Sequence, residues 1–142
     1  ISIQSKLGNV ICINDNEIIS DEKFSLGGRW LRGFDNFGVG PRNSRTAYVG
    51  GNNLAALKID FSKPITLNSQ NPIYLNLFND YGSVWDNKNA VTFSDNDLRV
   101  SYGFGINYYS PIGPIGFTWG FPLIDKDYDI KRMFTFSIGN LN

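Results

Sequence analysis

Apolar residues alternate with small or polar ones in six separate segments of this chain. Successive side chains of a β-strand point to opposite faces of a sheet, so a period of two predicts strands. The apolar positions of the six segments are Ile1, Ile3 and Leu7; Leu57, Ile59 and Phe61; Ile73, Leu75 and Leu77; Leu98, Val100, Tyr102, Phe104, Ile106 and Tyr108; Ile115, Phe117, Trp119 and Phe121; Phe134, Phe136 and Ile138. The sequence therefore predicts an all-β antiparallel meander.

The faces opposite these apolar rows are small rather than charged. Gly103 and Gly105 lie there in the fourth segment, and Gly116 and Gly120 in the fifth. A crowded barrel lumen favours such residues, and aromatic residues near strand ends are typical of the interfacial girdles of membrane barrels. The fourth segment also has the length of a tilted membrane strand, about 9–11 residues. A transmembrane β-barrel is the favoured fold, and a soluble β-sandwich, whose strands also alternate, is the alternative.

Six strands are too few for a closed membrane barrel, which needs roughly eight or more. An open sheet edge in lipid leaves backbone groups without hydrogen bonds. The first residues, Ile1 to Lys6, already alternate, so we expect the chain to begin inside a longer protein.

Composition excludes several functional classes. The chain has no His, which removes the commonest general base and metal-binding imidazole, so we expect no catalytic residue, metal, cofactor or enzymatic activity. Thirteen Lys and Arg balance thirteen Asp and Glu, and this neutral charge argues against nucleic-acid binding. The single cysteine, Cys12, has no second Cys or His to pair with, and we interpret it as a small strand residue.

A long connection, about residues 14–52, separates the first two segments and carries three motifs. They are Leu26 to Phe34 (LGGRWLRGF), Val39 to Arg42 (VGPR) and Val49 to Asn52 (VGGN). This series resembles the sixth extracellular loop of the barrel family that includes BamA, TamA, the mitochondrial sorting and assembly barrels and the two-partner secretion transporters.

Three downstream segments extend the resemblance over essentially the whole chain. They are Asp80 to Asp86 (DYGSVWD), Ser110 to Ile115 (SPIGPI) and Phe134 to Gly139 (FTFSIG). The resemblance implies the C-terminal portion of one barrel domain, covering residues 1–142 and the last six of about sixteen strands, within the known range for bacterial barrels.

In this bacterial surface antigen family the loop folds into the barrel, and its Arg meets acidic groups on the inner wall. Here the loop motif is Leu31, Arg32, Gly33 and Phe34. Asp60 and Asp80 hold the positions of the acidic partners, and the alternation independently places both on polar, lumenal faces. Gly33 would allow a close backbone approach, and Phe34 would be an apolar anchor. The alternative is that both Asp residues line a wet lumen and Arg32 lies in solvent.

Three further cations receive weaker assignments. Lys58 shares a face with Asp60. It either takes part in the charge network of Arg32, Asp60 and Asp80 or only balances part of its negative charge. Arg29 and Arg42 lie in the loop, and we expect both to face solvent.

The family's function is the expectation for the intact protein. It would fold and insert other β-barrel proteins into the outer membrane of a Gram-negative bacterium, an organelle outer membrane being less favoured. Partners would be unfolded outer-membrane proteins, outer-membrane lipid and accessory assembly lipoproteins, and periplasmic POTRA domains would precede the barrel. The resemblance implies that client strands are inserted at a lateral seam, the weakly paired junction between the first and last strands of the barrel. The last strand here would run from about Arg132 to Leu141 and include Phe134, Phe136, Ile138 and Gly139.

Other functions remain open at this point. A TamA-like or two-partner-secretion translocator shares the loop motif. From other classes, a passive porin shares only the alternation, and a soluble β-sandwich binding module is a further alternative. The final pair, Leu141 and Asn142, departs from the family's usual terminal aromatic residue, so either residues are missing or the sorting signal is atypical.

Overall fold

The computed structural model describes residues 1–11, 23–42, 48–66, 71–86 and 98–139. The strands within them are β1 (Ser2–Asn9), β2 (Gly33–Phe34), β3 (Asn53–Pro64), β4 (Ile73–Trp85), β5 (Arg99–Ser110), β6 (Gly113–Ile124), β7 (Lys131–Arg132) and β8 (Phe134–Ile138). Six of them form one sheet in the order β1-β3-β4-β5-β6-β8, and β2 pairs with β7 in a second sheet. Every pairing is antiparallel, which confirms the predicted meander. Among the described residues, no helix is long and apolar enough to cross a membrane.

One face of the six-stranded sheet carries the predicted apolar rows. Aromatic rings of neighbouring strands stack along it: the Phe104 and Trp119 centroids are 5.2 Å apart, and Phe117 and Phe136 are also 5.2 Å apart. This face is open, since Phe136 is 50% exposed and Phe104 is 38% exposed. A soluble β-sandwich would bury these rings in its core. A broad exposed apolar face is instead what a lipid-facing barrel wall requires.

The hydrophobic core lies on the opposite face of the sheet. It joins loop residues to inward-facing residues of β3 and β4. Its buried members are Leu26, Leu31, Phe34, Val39, Leu54, Ala56 and Val84, with Phe24 and Trp30 packed against them. Within the described part of the long connection, residues 23–42 therefore fold inward onto the inner face of the sheet, as expected from the resemblance.

β3 begins at Asn53, directly after the predicted end of the long connection near residue 52. β4 extends further than the alternation predicts, because it continues to Trp85 rather than ending near Asp80. In this extension Val84 pairs with Leu54 on the inner face. Both side chains are apolar because the loop covers them, so the contrast between the two faces disappears there.

The predicted last strand is wrong at its beginning. Arg132 does not belong to β8, which runs only from Phe134 to Ile138. Lys131 and Arg132 instead pair with Phe34 and Gly33 of the loop motif. The reason is that Lys131 and Arg132 bond to the folded-in loop rather than to β6, and the chain returns to β6 at Met133. The assignments for Cys12, Leu141 and Asn142 lie outside the described residues.

Candidate functional site

Two bridges give the long loop its inward course. Phe24 and Gly51 exchange backbone hydrogen bonds of 2.8 and 3.0 Å, and Leu26 and Val39 exchange bonds of 3.2 and 3.0 Å. These bridges clamp the two ends of the segment between Leu26 and Val39. The segment therefore projects along the inner wall as a defined unit, with the motif residues at its tip.

Arg32 at this tip binds Asp80 at three points. Its backbone nitrogen donates to Asp80 Oδ2 at 3.0 Å, its Nε donates to the same oxygen at 2.7 Å, and its Nη2 donates to Oδ1 at 2.6 Å. The side chain of Asp80 is completely buried. A charge-assisted, two-pronged bond of this kind fixes both the direction and the rotation of the guanidinium.

Asp60 and Phe78 complete the surroundings of Arg32. Arg32 Nη1 donates to Asp60 Oδ1 at 2.7 Å, and the guanidinium carbon lies 3.7 Å from the centroid of the Phe78 ring. Burial alone would lower the pKa of Arg32, but the bonds and charges of Asp80 and Asp60 outweigh it and raise the pKa above its ordinary value. The guanidinium thus stays charged between two carboxylates, and the structure brings together all three predicted charged residues.

The other motif residues pack against the wall. Leu31 is fully buried, and Phe34 is 1% exposed. Gly33 has a φ of +94° and packs directly on β6. A Cβ atom added at Gly120 of β6 would lie 2.5 Å from the backbone nitrogen of Gly33. Neither position has room for a side chain, because backbone touches backbone there.

The remaining cations behave differently from one another. Lys58 is 5% exposed, and its Nζ lies 5.8 Å from the centroid of the Trp30 ring, with Lys6 Nζ at 5.4 Å from the same centroid. Arg29 is exposed, as expected. Arg42 is half-buried, and its Nη2 donates to the carbonyl of Gly38 at 3.1 Å, so the expectation that it faces solvent is wrong.

Sequence reasoning missed a second set of ion pairs. It involves residues 125–133, a segment that we call the last loop. Arg99 Nε donates to Asp129 Oδ2 at 2.6 Å, and Arg132 Nη2 lies 2.9 Å from Asp35 Oδ1. Arg99 precedes Val100 in the fourth segment and therefore shares a face with Gly103 and Gly105, which the alternation assigns to the inner side. No spacing rule connects it to Asp129, because the partner belongs to a loop that folds back into the lumen.

The predicted seam residues lie at the edge of the sheet. Phe134 and Phe136 pair with Trp119 and Phe117 of β6, and Ile138 pairs with Ile115. Gly139 follows the strand with a φ of +80°, and its backbone nitrogen donates to the carbonyl of Pro114 at 2.8 Å.

The described geometry shows how the loop is attached to the sheet. The charge of Arg32 is met by the carboxylates of Asp60 and Asp80, and Lys58 lines a cavity beside them. Among the described residues, no group of three or more Asp, Glu, Cys and His side chains is placed to hold a metal ion. What the site supplies is a fixed connection between the loop and strands β3, β4 and β6.

Comparisons with known proteins agree with this fold. The family model of the Omp85 superfamily domain matches residues 2–141. The outer membrane protein assembly factor BamA of Neisseria meningitidis serogroup B is 29% identical over an aligned length of 153 residues. The alignment covers 87% of this chain and 19% of that protein. The crystal structure of BamA from Haemophilus ducreyi lacking POTRA domains 1–3 matches with a TM-score of 0.80 at 23% identity, covering 94% of this chain and 30% of that one.

This chain thus spans 19% of the length of the curated relative that it matches. The family match nevertheless runs over nearly the whole chain, and the loop motif, the strand order and the inward fold of the loop all agree with it. The resemblance to BamA-type barrels that the motif predicted is therefore confirmed, and the chain belongs to the Omp85 superfamily.

Proposed function

We propose that this chain is the C-terminal, seam-bearing part of an outer-membrane assembly factor that folds and inserts other β-barrel proteins. The observation that carries the proposal is the docking of Arg32 onto Asp80 and Asp60, with bonds of 2.6 to 3.0 Å. The family is one of outer-membrane transport and assembly barrels of Gram-negative bacteria, so the location is the outer membrane. The relative from Neisseria meningitidis carries the assembly role in its name.

The proposed mechanism needs a last strand with a short edge at the seam. Among the described residues, β8 forms five pairs with β6, whereas β5 and β6 share eleven, and the other edge of β8 is open. A short, apolar edge strand is a ready template for an incoming strand, because its unpaired backbone groups accept another chain by β-augmentation. An unfolded outer-membrane protein would add its strands at this edge, and no covalent bond would be made or broken.

The docked loop has a defined part in this mechanism. A barrel that opens at a seam loses the closure that normally holds its wall in shape. The loop connects β3 and β4 through Arg32 and reaches β6 through Gly33, so it braces the wall from inside while the edge is open. We propose that accessory lipoproteins and outer-membrane lipid are further partners of the intact protein.

A reconstituted folding assay tests this function. The full-length protein is placed in lipid vesicles, a urea-unfolded outer-membrane protein is added, and its folding is followed by heat-modifiable gel migration. We expect faster client folding than in empty vesicles, a large loss of that acceleration in Arg32→Ala, and near-normal acceleration in Arg29→Ala. Equal effects of the two variants, or no acceleration by the wild type, would contradict the proposal.

A translocator of the same family is the second candidate, because it shares the loop motif. It would export a soluble partner protein through the barrel without speeding the folding of barrel clients. The same vesicles distinguish the two: protease protection of an added secretion substrate, with unchanged client folding, would identify a translocator.

A further inference from the structure

The strongest feature that the function above leaves unused is a buried ion pair between β5 and the last loop. Arg99 Nε donates to Asp129 Oδ2 at 2.6 Å and Arg99 Nη2 donates to Oδ1 at 3.2 Å. The Arg99 side chain is 4% exposed and that of Asp129 is fully buried. Asp129 Oδ2 also accepts a bond from the backbone nitrogen of Lys126 at 2.8 Å, which ties the pair to the turn of the last loop.

The three residues after Asp129 are bound to the folded-in loop. The backbone nitrogen of Ile130 donates to the carbonyl of Gly38 at 3.1 Å, and that of Asp35 donates to the carbonyl of Ile130 at 2.9 Å. Lys131 and Arg132 form the short antiparallel pairing with the loop motif. Arg132 also meets the carboxylate of Asp35 at 2.9 Å.

The last strand starts immediately after this attachment. The carbonyl of Met133 accepts a bond from the backbone nitrogen of Gly120 at 2.8 Å, and Phe134 is already paired with Trp119. Among the described residues, β8 pairs with β6 only between Ile115 and Trp119, although β6 continues to Ile124. Lys131 and Arg132 are the residues that could extend the pairing between β8 and β6, and they bond to the loop motif instead.

We propose that Arg99 and Asp129 are positioning residues that hold the last loop against the folded-in loop and thereby fix where the last strand begins along β6. Residues 130–132 cannot pair with both the loop motif and β6, so their attachment to the motif keeps β8 short. Breaking a buried ion pair by removing one charge is strongly destabilising. The intact pair therefore keeps residues 130–132 on the loop motif rather than on β6. The link to client insertion rests on the proposed function, whereas the positioning itself does not.

Amide hydrogen exchange of the full-length protein in lipid vesicles tests the positioning. The variants are Arg99→Gln and Asp129→Asn, and the control is Lys63→Gln, which removes one positive charge from an exposed side chain of β3. We expect exchange of residues 130–138 to accelerate about tenfold or more in the two variants, because local opening of this unit becomes easier. Exchange within β3 and β4 should stay at the wild-type level, and the control should match the wild type throughout.

Two features keep the test decisive. If Arg99→Gln does not fold, Arg99→Lys retains the charge without the two-pronged geometry, and it should show a smaller acceleration confined to the same residues. An acceleration spread evenly over all strands would mean that the ion pair only stabilises the barrel. Unchanged exchange at residues 130–138 would mean that the ion pair does not position this segment. Either result overturns the proposal. The expected exchange pattern in a protein that does not speed client folding would refute the proposed function and leave the positioning intact.

Discussion

Asp80 holds Arg32 by its main chain and its side chain at once, although the two residues are 48 positions apart in sequence. One buried carboxylate accepts from the backbone nitrogen, from Nε and from Nη2. Asp60 accepts a single bond, from Nη1, and its side chain is 17% exposed. The two acidic partners are therefore unequal, and Asp80 is the one that sets the position of the loop.

Asp80→Asn should destabilise the full-length barrel more than Asp60→Asn. The first variant removes a fully buried charge that Arg32 engages, a change that costs up to about 3–5 kcal/mol, and the second removes a partly exposed one. The temperature at which the folded gel band disappears on heating measures both variants. Equal temperatures, or a lower one for Asp60→Asn, would contradict this ranking.

Gly120→Ala should loosen the loop from the wall. Its new Cβ would meet the backbone nitrogen of Gly33 at 2.5 Å and the carbonyl carbon of Arg32 at 2.8 Å, so backbone must move, at a cost of about 1–3 kcal/mol. Gly105→Ala is the milder comparison on the same face, because its Cβ would lie 3.1 Å from the carbonyl oxygen of Phe117 and would require a shift of only a few tenths of an ångström. Limited proteolysis in the loop should accelerate in the first variant and change little in the second.

Phe34→Ala should cost far more stability than Phe37→Ala. Phe34 is 1% exposed in the core beneath the loop, while Phe37 of the same loop is 60% exposed. Removing a buried ring costs about 3–5 kcal/mol, because a cavity remains where the ring was. Denaturant unfolding of the full-length protein in vesicles compares the two, and similar midpoints would show that the loop core contributes little.

Neighbouring residues of β6 test which face meets lipid. Phe117→Arg places a charge on the exposed aromatic face, at a cost of about 2–4 kcal/mol near the membrane midplane. Thr118→Arg places the same charge on the inner face, where Thr118 pairs with Gly105 and Thr135. We expect poor membrane insertion of the first variant only, measured as the folded fraction in vesicles; the reverse order would invert the assigned faces.

Alternation predicted the two faces of the sheet correctly because the period of two is a property of the extended backbone itself. Asp60 and Asp80 could be assigned to one face on this ground alone, before any contact was known. The same reasoning failed where a second layer covers the inner wall. Leu54 and Val84 are inward and apolar and belong to the core beneath the loop, so the alternation ended early in β4.

The partners of loop residues needed the three-dimensional course of the chain. Arg32 could be paired with two Asp residues only because its surroundings resemble a family in which the loop folds inward. Arg99 and Asp129 belong to no quoted motif, and the sequence places them 30 residues apart with a loop between them. Their contact depends on how the last loop folds, and Arg132 was assigned to the wrong strand for the same reason.

A double-mutant cycle on Arg32→Ala and Asp80→Asn, measured by reversible unfolding of the full-length protein in vesicles, tests the loop attachment most directly. If the two side chains act as one bonded unit, the double variant should be about 1–3 kcal/mol more stable than the sum of the single losses indicates. Strictly additive losses would mean that Arg32 and Asp80 stabilise the barrel independently, and the loop would then be held by something other than this bond.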